Sequence, residues 1–314
     1  MKPLFSLLGC LSLVLSLVSC SAHLPASLTK LSTEQMISHE GYSTVALVHY
    51  DADNEEEKTS DIKPYCSAVW IDKTHILTAY HCVKSEQQRL QARQNEREAS
   101  RPVCGLLEML FGACDPDQSS HQTIWMKGLP VHFIQWKEVD DYHKEPTAWH
   151  LSKVVGWDEG KDLALIEAVG NAIPPHQSAG IAEQTPALGE TVHVCGHPRG
   201  YYWTFLEGTV AGYRGTLTHH NEDTGPYMQV QIPIYYGNSG GGAFDSQGNL
   251  VGIADMLMGL PAEGLFVHVD NIRAFLQDQN FLEKPEAPVA AKVVGVTPHE
   301  EPSPDPNKDN SSLK

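Results

Sequence analysis

The sequence predicts an all-β protein: two six-stranded antiparallel β-barrels with a short C-terminal helix and a helical insertion. Three observations predict it. Short runs rich in β-branched and aromatic residues recur along the chain, separated by Gly, Pro, Asn and Asp. These runs fall into two sets of about six, joined near 169–190. Two stretches alone, 84–100 and 270–276, carry helical rather than strand composition.

The first set comprises 42–50 (YSTVALVHY), 65–72 (YCSAVWID), 74–82 (THILTAYHC), 123–136, 148–158 and 162–168 (DLALIEA). The second comprises 191–198, 204–215, 227–236, 241–245, 249–257 and 265–269. Together they place the barrels at about 41–170 and 186–270 within a domain spanning 41–282. Residues 84–100 are rich in Gln, Arg and Glu and poor in β-formers, which predicts an exposed helix opening an insertion over 84–122. Asp270 before Asn271-Ile272-Arg273 predicts the N-cap of the C-terminal helix. The acidic run 51–61 lacks the glycine and oxygen-ligand spacing of a calcium loop and reads as a solvated hairpin tip. Residues 283–314 are Pro-rich and aperiodic, a disordered tail too short for an appended binding domain.

Composition sets outer bounds on function. A chain of 314 residues with 41% hydrophobic and 19% charged residues can bury a sizeable core. A formal charge of −17 offers no basic footprint, so nucleic acid is not expected as a partner. Met1-Lys2 followed by an apolar run to Val18 reads as a secretory signal, shorter than the about 20 residues that a spanning helix needs. Leu17-Val18-Ser19-Cys20 resembles a bacterial lipobox. That reading makes 1–19 the signal, Cys20 the lipidated anchor and 20–40 a linker, and Ser21 is compatible with outer-membrane sorting. The product is then exported, held to a bacterial membrane by an N-terminal lipid and periplasm-facing if the cell has an outer membrane. The alternative is ordinary signal cleavage after Ala22. Five cysteines remain. Cys104 and Cys114 flank a short segment and suit a local bridge, while Cys195, in the apolar run 191–198, reads as a buried small hydrophobe.

The chemistry is concentrated in three places. Ser239 sits in the run Gly237-Asn238-Ser239-Gly240-Gly241-Gly242, where glycine permits a sharp turn that aims successive N–H groups at one point. Taken alone, the run is equally a flexible turn. His81 lies in Leu77-Thr78-Ala79-Tyr80-His81-Cys82, and Asp162 opens Asp162-Leu163-Ala164-Leu165. A hydroxyl, a base to deprotonate it and a carboxylate to orient that base are the groups that nucleophilic attack on an amide requires. Their chain order is His, Asp, Ser. No cofactor is needed for this chemistry. His219-His220 has no carboxylate or cysteine at ligand spacing, so no metal site is expected.

In these segments the chain resembles the trypsin-like (chymotrypsin-fold) serine peptidases over most of 41–282. Gly196-His197-Pro198 followed by 207–213 is similar to the second barrel of the bacterial HtrA/Deg-type and glutamyl endopeptidase-type branches, here without a PDZ domain. The resemblance implies a His81-Asp162-Ser239 triad, an oxyanion hole from the N–H groups of Gly237 and Ser239, and a Cys66–Cys82 disulfide. It also implies a protein or peptide substrate. Asn238 stands where members activated by cleavage carry an aspartate, which speaks against activation by N-terminal trimming. Pro233, Ile234 and residues 253–259 correspond to the primary pocket, and Ile234, Ala254, Met256 and Met258 suggest an apolar one. The expected function is an exported, lipid-anchored serine endopeptidase. The rivals are a catalytically silent lipoprotein of the same fold, acting as a binding or structural module, and a hydrolase of non-peptide acyl bonds.

Overall fold

In the computed structural model the described residues are 30–50, 62–99, 123–138, 148–170, 173–219, 222–257 and 262–282. The signal and lipobox with Cys20, the acidic run 51–61, Cys104 and Cys114, and the tail 283–314 lie outside them.

Each of the twelve apolar runs supplies one barrel strand. Strands β1 (Thr44–Val48), β2 (Pro64–Trp70), β3 (His75–Ala79), β4 (Pro130–Gln135), β5 (His150–Asp158) and β6 (Leu163–Ala168) close in the order β1-β2-β3-β6-β5-β4. All pairs are antiparallel, and β1 closes the ring by pairing with both β2 and β4, Ala46 facing Ser67 on one side and Ile134 on the other. The second barrel uses β7 (Thr191–Gly196), β8 (Thr204–Arg214), β11 (Tyr227–Gln231), β12 (Gly242–Phe244), β13 (Leu250–Leu257) and β14 (Glu263–His268) in the order β11-β14-β13-β12-β7-β8. A two-stranded hairpin, β9 (Leu217–His219) with β10 (Glu222–Thr224), extends between β8 and β11.

Continuous hydrophobic runs such as Leu163-Ala164-Leu165-Ile166 have both faces buried, which removes the polar alternation of a half-exposed strand. Successive side chains still point to opposite faces. Ala164 and Ile166 pack inside the first barrel with Ala68, Trp70, Ile76 and Phe133. Leu163 and Leu165 face outward, with Val69 and Leu77, onto a second cluster. That cluster also takes Phe244, Leu250 and Ile253 of the second barrel and Ile272, Phe275 and Leu276 of helix α3 (Val269–Asp278). The outer face of one barrel is therefore the inner wall of the junction, and Leu165→Ala costs about 2–5 kcal/mol by cavity formation. The second barrel has its own core of Val192, Val194, Val210, Met228 and Phe266.

The helices differ from expectation in three instructive ways. The polar lead, expected as linker up to residue 40, contains α1 (Thr33–Ser43), nucleated by a capping box in which Ser32 and Gln35 exchange side-chain and backbone bonds. The insertion helix α2 (Tyr80–Ala99) begins four residues before 84, taking in His81 and Cys82 from what reads as strand 74–82. Helix α3 is capped by His268, whose Nδ1 accepts from the Asp270 N–H, and not by Asp270, which lies in the first turn and pairs with Arg273.

Candidate active site

The barrel junction brings together one residue from each of the three segments. Asp162 occupies the turn between β5 and β6 with φ of 51°, a left-handed conformation that Asp tolerates better than most residues. Its carboxylate holds α2 at two atoms: Oδ1 accepts from the His81 backbone N–H at 2.9 Å and Oδ2 from imidazole Nδ1 at 2.7 Å. Its carbonyl takes the Tyr80 N–H at 3.1 Å. An anion at a helix N-terminus satisfies free N–H groups and complements the helix dipole. Asp162 therefore starts α2 at Tyr80, ahead of the helical composition, and fixes the His81 ring in the same stroke. The disulfide from Cys66 on β2 to Cys82 clamps the helix start to the first barrel.

Burial pushes the His81 pKa down, but the bond to Asp162, the charge of Asp162 and that of Asp255 outweigh it, holding the imidazole above its ordinary 6.5. The His81 side chain remains 40% exposed, so the imidazole is open to solvent.

Ser239 is pinned through its backbone. Its carbonyl accepts from the Ser67 N–H at 2.8 Å, and the next residue's N–H, at Gly240, reaches the Ala254 carbonyl at 2.8 Å. Gly240 has φ of 82°, and a Cβ there would run into the Ser67 carbonyl and Thr78 Oγ1, so only glycine fits. The Ser239 hydroxyl donates to the Asp255 carbonyl at 3.3 Å rather than to His81. Hydrogen bonds of this kind are often long or misaligned without substrate.

The peptide preceding Gly237 is fixed by an interaction with no sequence signal. Arg199 N–H donates to the Tyr236 carbonyl at 2.6 Å, and in a trans peptide the Gly237 N–H then points the opposite way. The following peptide is held by a relay. Buried His197 donates from Nδ1 to Ser67 Oγ at 2.8 Å, and Ser67 donates to the Gly237 carbonyl at 2.7 Å. His197 can serve as a neutral donor because burial pushes its pKa down to about 3. Among the described residues neither the Gly237 nor the Ser239 N–H meets an acceptor, whereas those of Asn238, Gly240 and Gly241 do. Asn238 itself is fully buried with both amide atoms unpartnered among the described residues.

Ile234 and Ala254, read from the sequence as pocket-lining, are core residues of the second barrel, 6% and 1% exposed. Both sit on a barrel surface whose apolar side is turned inward, which is why apolar character alone misplaces them. Met256 packs at the junction, and Met258 lies outside the described residues. Cys195 is free and buried, with burial pushing its thiol well up, so it is inert.

The residue that sequence reasoning passes over is Asp255. Its side chain is 6% exposed, with Oδ1 3.8 Å from His81 Nδ1. Donor atoms of His81, Asp162 and Asp255 lie within 4.8 Å of one another. Two ligands of one ion at about 2.1 Å each stand farther apart than the 2.7 Å between Nδ1 and Oδ2, so the pair is arranged as a hydrogen bond and not as a metal chelate. The signal for Asp255 in the sequence is an acid in an otherwise apolar strand, Leu250–Leu257.

Two closed six-stranded antiparallel barrels define the chymotrypsin-type fold. Residues 66–253 match the trypsin-like peptidase domain, and the chain belongs to that family. Among curated relatives, it is 33% identical over 102 residues to a probable periplasmic serine endoprotease DegP-like of Hahella chejuensis, covering 32% of this chain and 21% of that one. It is 34% identical over 108 residues to the chloroplastic Protease Do-like 1 of Arabidopsis thaliana, covering 32% and 24%. The chain thus spans about a fifth to a quarter of the length of these relatives. In fold it is similar to the crystal structure of the Rv3671c protease from M. tuberculosis in its active form, with a TM-score of 0.50 at 14% identity over 77% of this chain and 82% of the other. An inactive mutant form of Rv3671c gives a TM-score of 0.50 at 12% identity over 81% and 94%.

Proposed function

We propose that this protein is an exported serine endopeptidase, lipid-anchored through Cys20, that cleaves peptide bonds with a His81-Asp162-Ser239 triad. The observation that carries the reading is the Asp162 carboxylate bridging the α2 N-terminus and His81 Nδ1. With the proton fixed on Nδ1, the other imidazole nitrogen is free to accept from the Ser239 hydroxyl as its oxygen attacks the scissile carbonyl. Asp162 stabilises the imidazolium that forms. Negative charge on the former carbonyl oxygen is met by the N–H groups of Gly237 and Ser239, which meet no acceptor among the described residues and need no reorganisation. The imidazolium then protonates the departing amine, leaving an acyl-Ser239 that water hydrolyses by the same base.

The names of the DegP-like relatives include "periplasmic", and the apolar N-terminus of this chain supports export to the same side of the membrane. Replacing Cys20 by Ala, which removes the lipid acceptor, is expected to release the protein from the membrane fraction.

The silent-scaffold reading is favoured by one observation, the Ser239 hydroxyl bonded to the Asp255 carbonyl and not to His81. The two part on Ser239→Ala. A catalytic serine predicts that hydrolysis of casein vanishes while the circular dichroism spectrum is retained; a scaffold predicts no hydrolysis by either protein.

A further inference from the structure

The second carboxylate beside the triad requires an account, because burying two anions around one imidazole is costly. We propose that Asp255 is a positioning residue that acts in its protonated form, donating a hydrogen bond to Asp162 and so holding that carboxylate against His81. The inference rests on the peptidase reading but concerns a different residue and a different property.

Four features of the site support it. Asp255 sits on β13 with its side chain nine-tenths buried, and its backbone carbonyl is the group that receives the Ser239 hydroxyl. Its Oδ2 has no hydrogen-bond partner among the described residues, a poor situation for a buried anion, while Oδ1 is the oxygen on the His81 side and the one placed to carry a donated proton. The titratable groups that face it are Asp162 from the β5–β6 turn, His81 from α2 and Tyr227 from β11. A carboxylate oxygen of Asp255 also lies within 4.8 Å of one on Asp162, and two carboxyls held this close out of water are stable only when one of them carries a proton. Burial raises the Asp255 pKa first, the Asp162 charge raises it further, and His81 and the Tyr227 hydroxyl pull it back, leaving it up at about 7.

The consequence is a site that works in one charge state. With His81 neutral, Asp162 ionised and Asp255 protonated, the cluster holds a single negative charge, and Asp162 receives donors from the α2 backbone, Nδ1 and Asp255. As pH rises through the Asp255 transition the donor becomes a second anion, the carboxylates repel, and Asp162 is drawn off Nδ1. Reactivity of Ser239 then falls on the alkaline side, where a site with a single carboxylate would stay active. The groups interact strongly, so the observed midpoints belong to the cluster and not to one residue.

The test compares wild type, Asp255→Asn and Asp255→Ala by the rate of Ser239 labelling with a fluorophosphonate probe from about pH 5 to about pH 9, the range in which imidazole and the raised carboxyl titrate. In parallel, difference infrared spectra of wild type against Asp255→Asn read the C=O stretch of a protonated carboxyl. The wild-type rate is expected to rise and then fall with pH. Asn, which donates at every pH, should retain labelling and lose the alkaline fall, whereas Ala should label about a hundredfold more slowly throughout, as expected when a reacting group is misplaced. The infrared band should be present in wild type at low pH and fade near pH 7. An alkaline fall persisting in Asp255→Asn, wild-type labelling by Asp255→Ala, or no carboxylic-acid band at low pH overturns the proposal. Should wild type fail to label at all, the peptidase reading falls instead, and the infrared band, which needs no catalysis, still decides whether Asp255 carries a proton.

Discussion

Replacing Asp162 with Asn keeps the side chain's size and removes its charge, and the geometry of the site dictates the cost. Two donors converge on this carboxylate, the His81 backbone N–H at 2.9 Å and Nδ1–H at 2.7 Å. An amide offers one acceptor and one NH₂. If its oxygen keeps the helix N-terminus, the NH₂ faces Nδ1, which must then accept, and the ring proton moves to the nitrogen that should receive the serine proton. If the oxygen keeps Nδ1, the NH₂ meets the His81 N–H in a site where Asp162 is 9% exposed, an unsatisfied buried donor costing about 1–3 kcal/mol. Asn therefore selects the wrong tautomer and also forfeits the charge that stabilises the imidazolium. The expected loss in kcat is about 10⁴-fold, or about 5.5 kcal/mol of transition-state stabilisation. Steady-state hydrolysis of a fluorogenic peptide, with circular dichroism to show that α2 persists, measures it. A folded variant losing less than about tenfold would refute the assignment of Asp162 as the orienting carboxylate.

Three further outcomes are expected from the structure. His81 must be neutral to act as base and its pKa lies above 6.5, so activity should decline as pH falls, with an acid midpoint above that value in kcat/KM against pH; a midpoint near pH 5 excludes His81. Gly237 has φ of 97° and a Cβ there would strike the His197 carbonyl, so Gly237→Ala should displace the N–H aimed by Arg199 and cost about 10²–10³ in kcat with KM little changed. Glu40 of α1 is 2% exposed, and burial pushes its carboxyl from 4.5 up to about 8. The folded state thus keeps a proton that the unfolded chain has lost, and stability declines as pH rises between those values. Glu40→Gln should therefore stabilise by about 3 kcal/mol at neutral pH and by nothing near pH 4.5, read from urea midpoints at the two pH values.

The strands and the candidate triad are legible in the sequence because they depend on local pattern. Runs such as Leu163–Ala168 declare themselves by β-branched and aliphatic content, and His81, Asp162 and Ser239 stand each in a distinctive short context. What is not legible depends on contacts distant in sequence. The start of α2 at Tyr80 is set by Asp162, 81 positions beyond His81, and no helix signal precedes it. The pairing of Arg199 with Tyr236, and the His197–Ser67–Gly237 relay spanning 130 and 170 positions, exist only once the barrels close. Ile234 and Ala254 read as pocket residues because apolar side chains near a nucleophile suit either a pocket or a core, and composition does not separate the two. Asp255 escapes notice for the opposite reason: an acid in a strand carries no message until its neighbours prove to be a second acid and a histidine.

Incubating the purified mature protein with a fluorophosphonate at neutral pH, digesting it and locating the adduct by mass spectrometry puts the central claim to its most direct test. A single modified site, Ser239, is expected, with no adduct in Ser239→Ala and strongly slowed labelling in Asp162→Asn. An adduct at another serine, or undiminished proteolysis by Ser239→Ala, would contradict it.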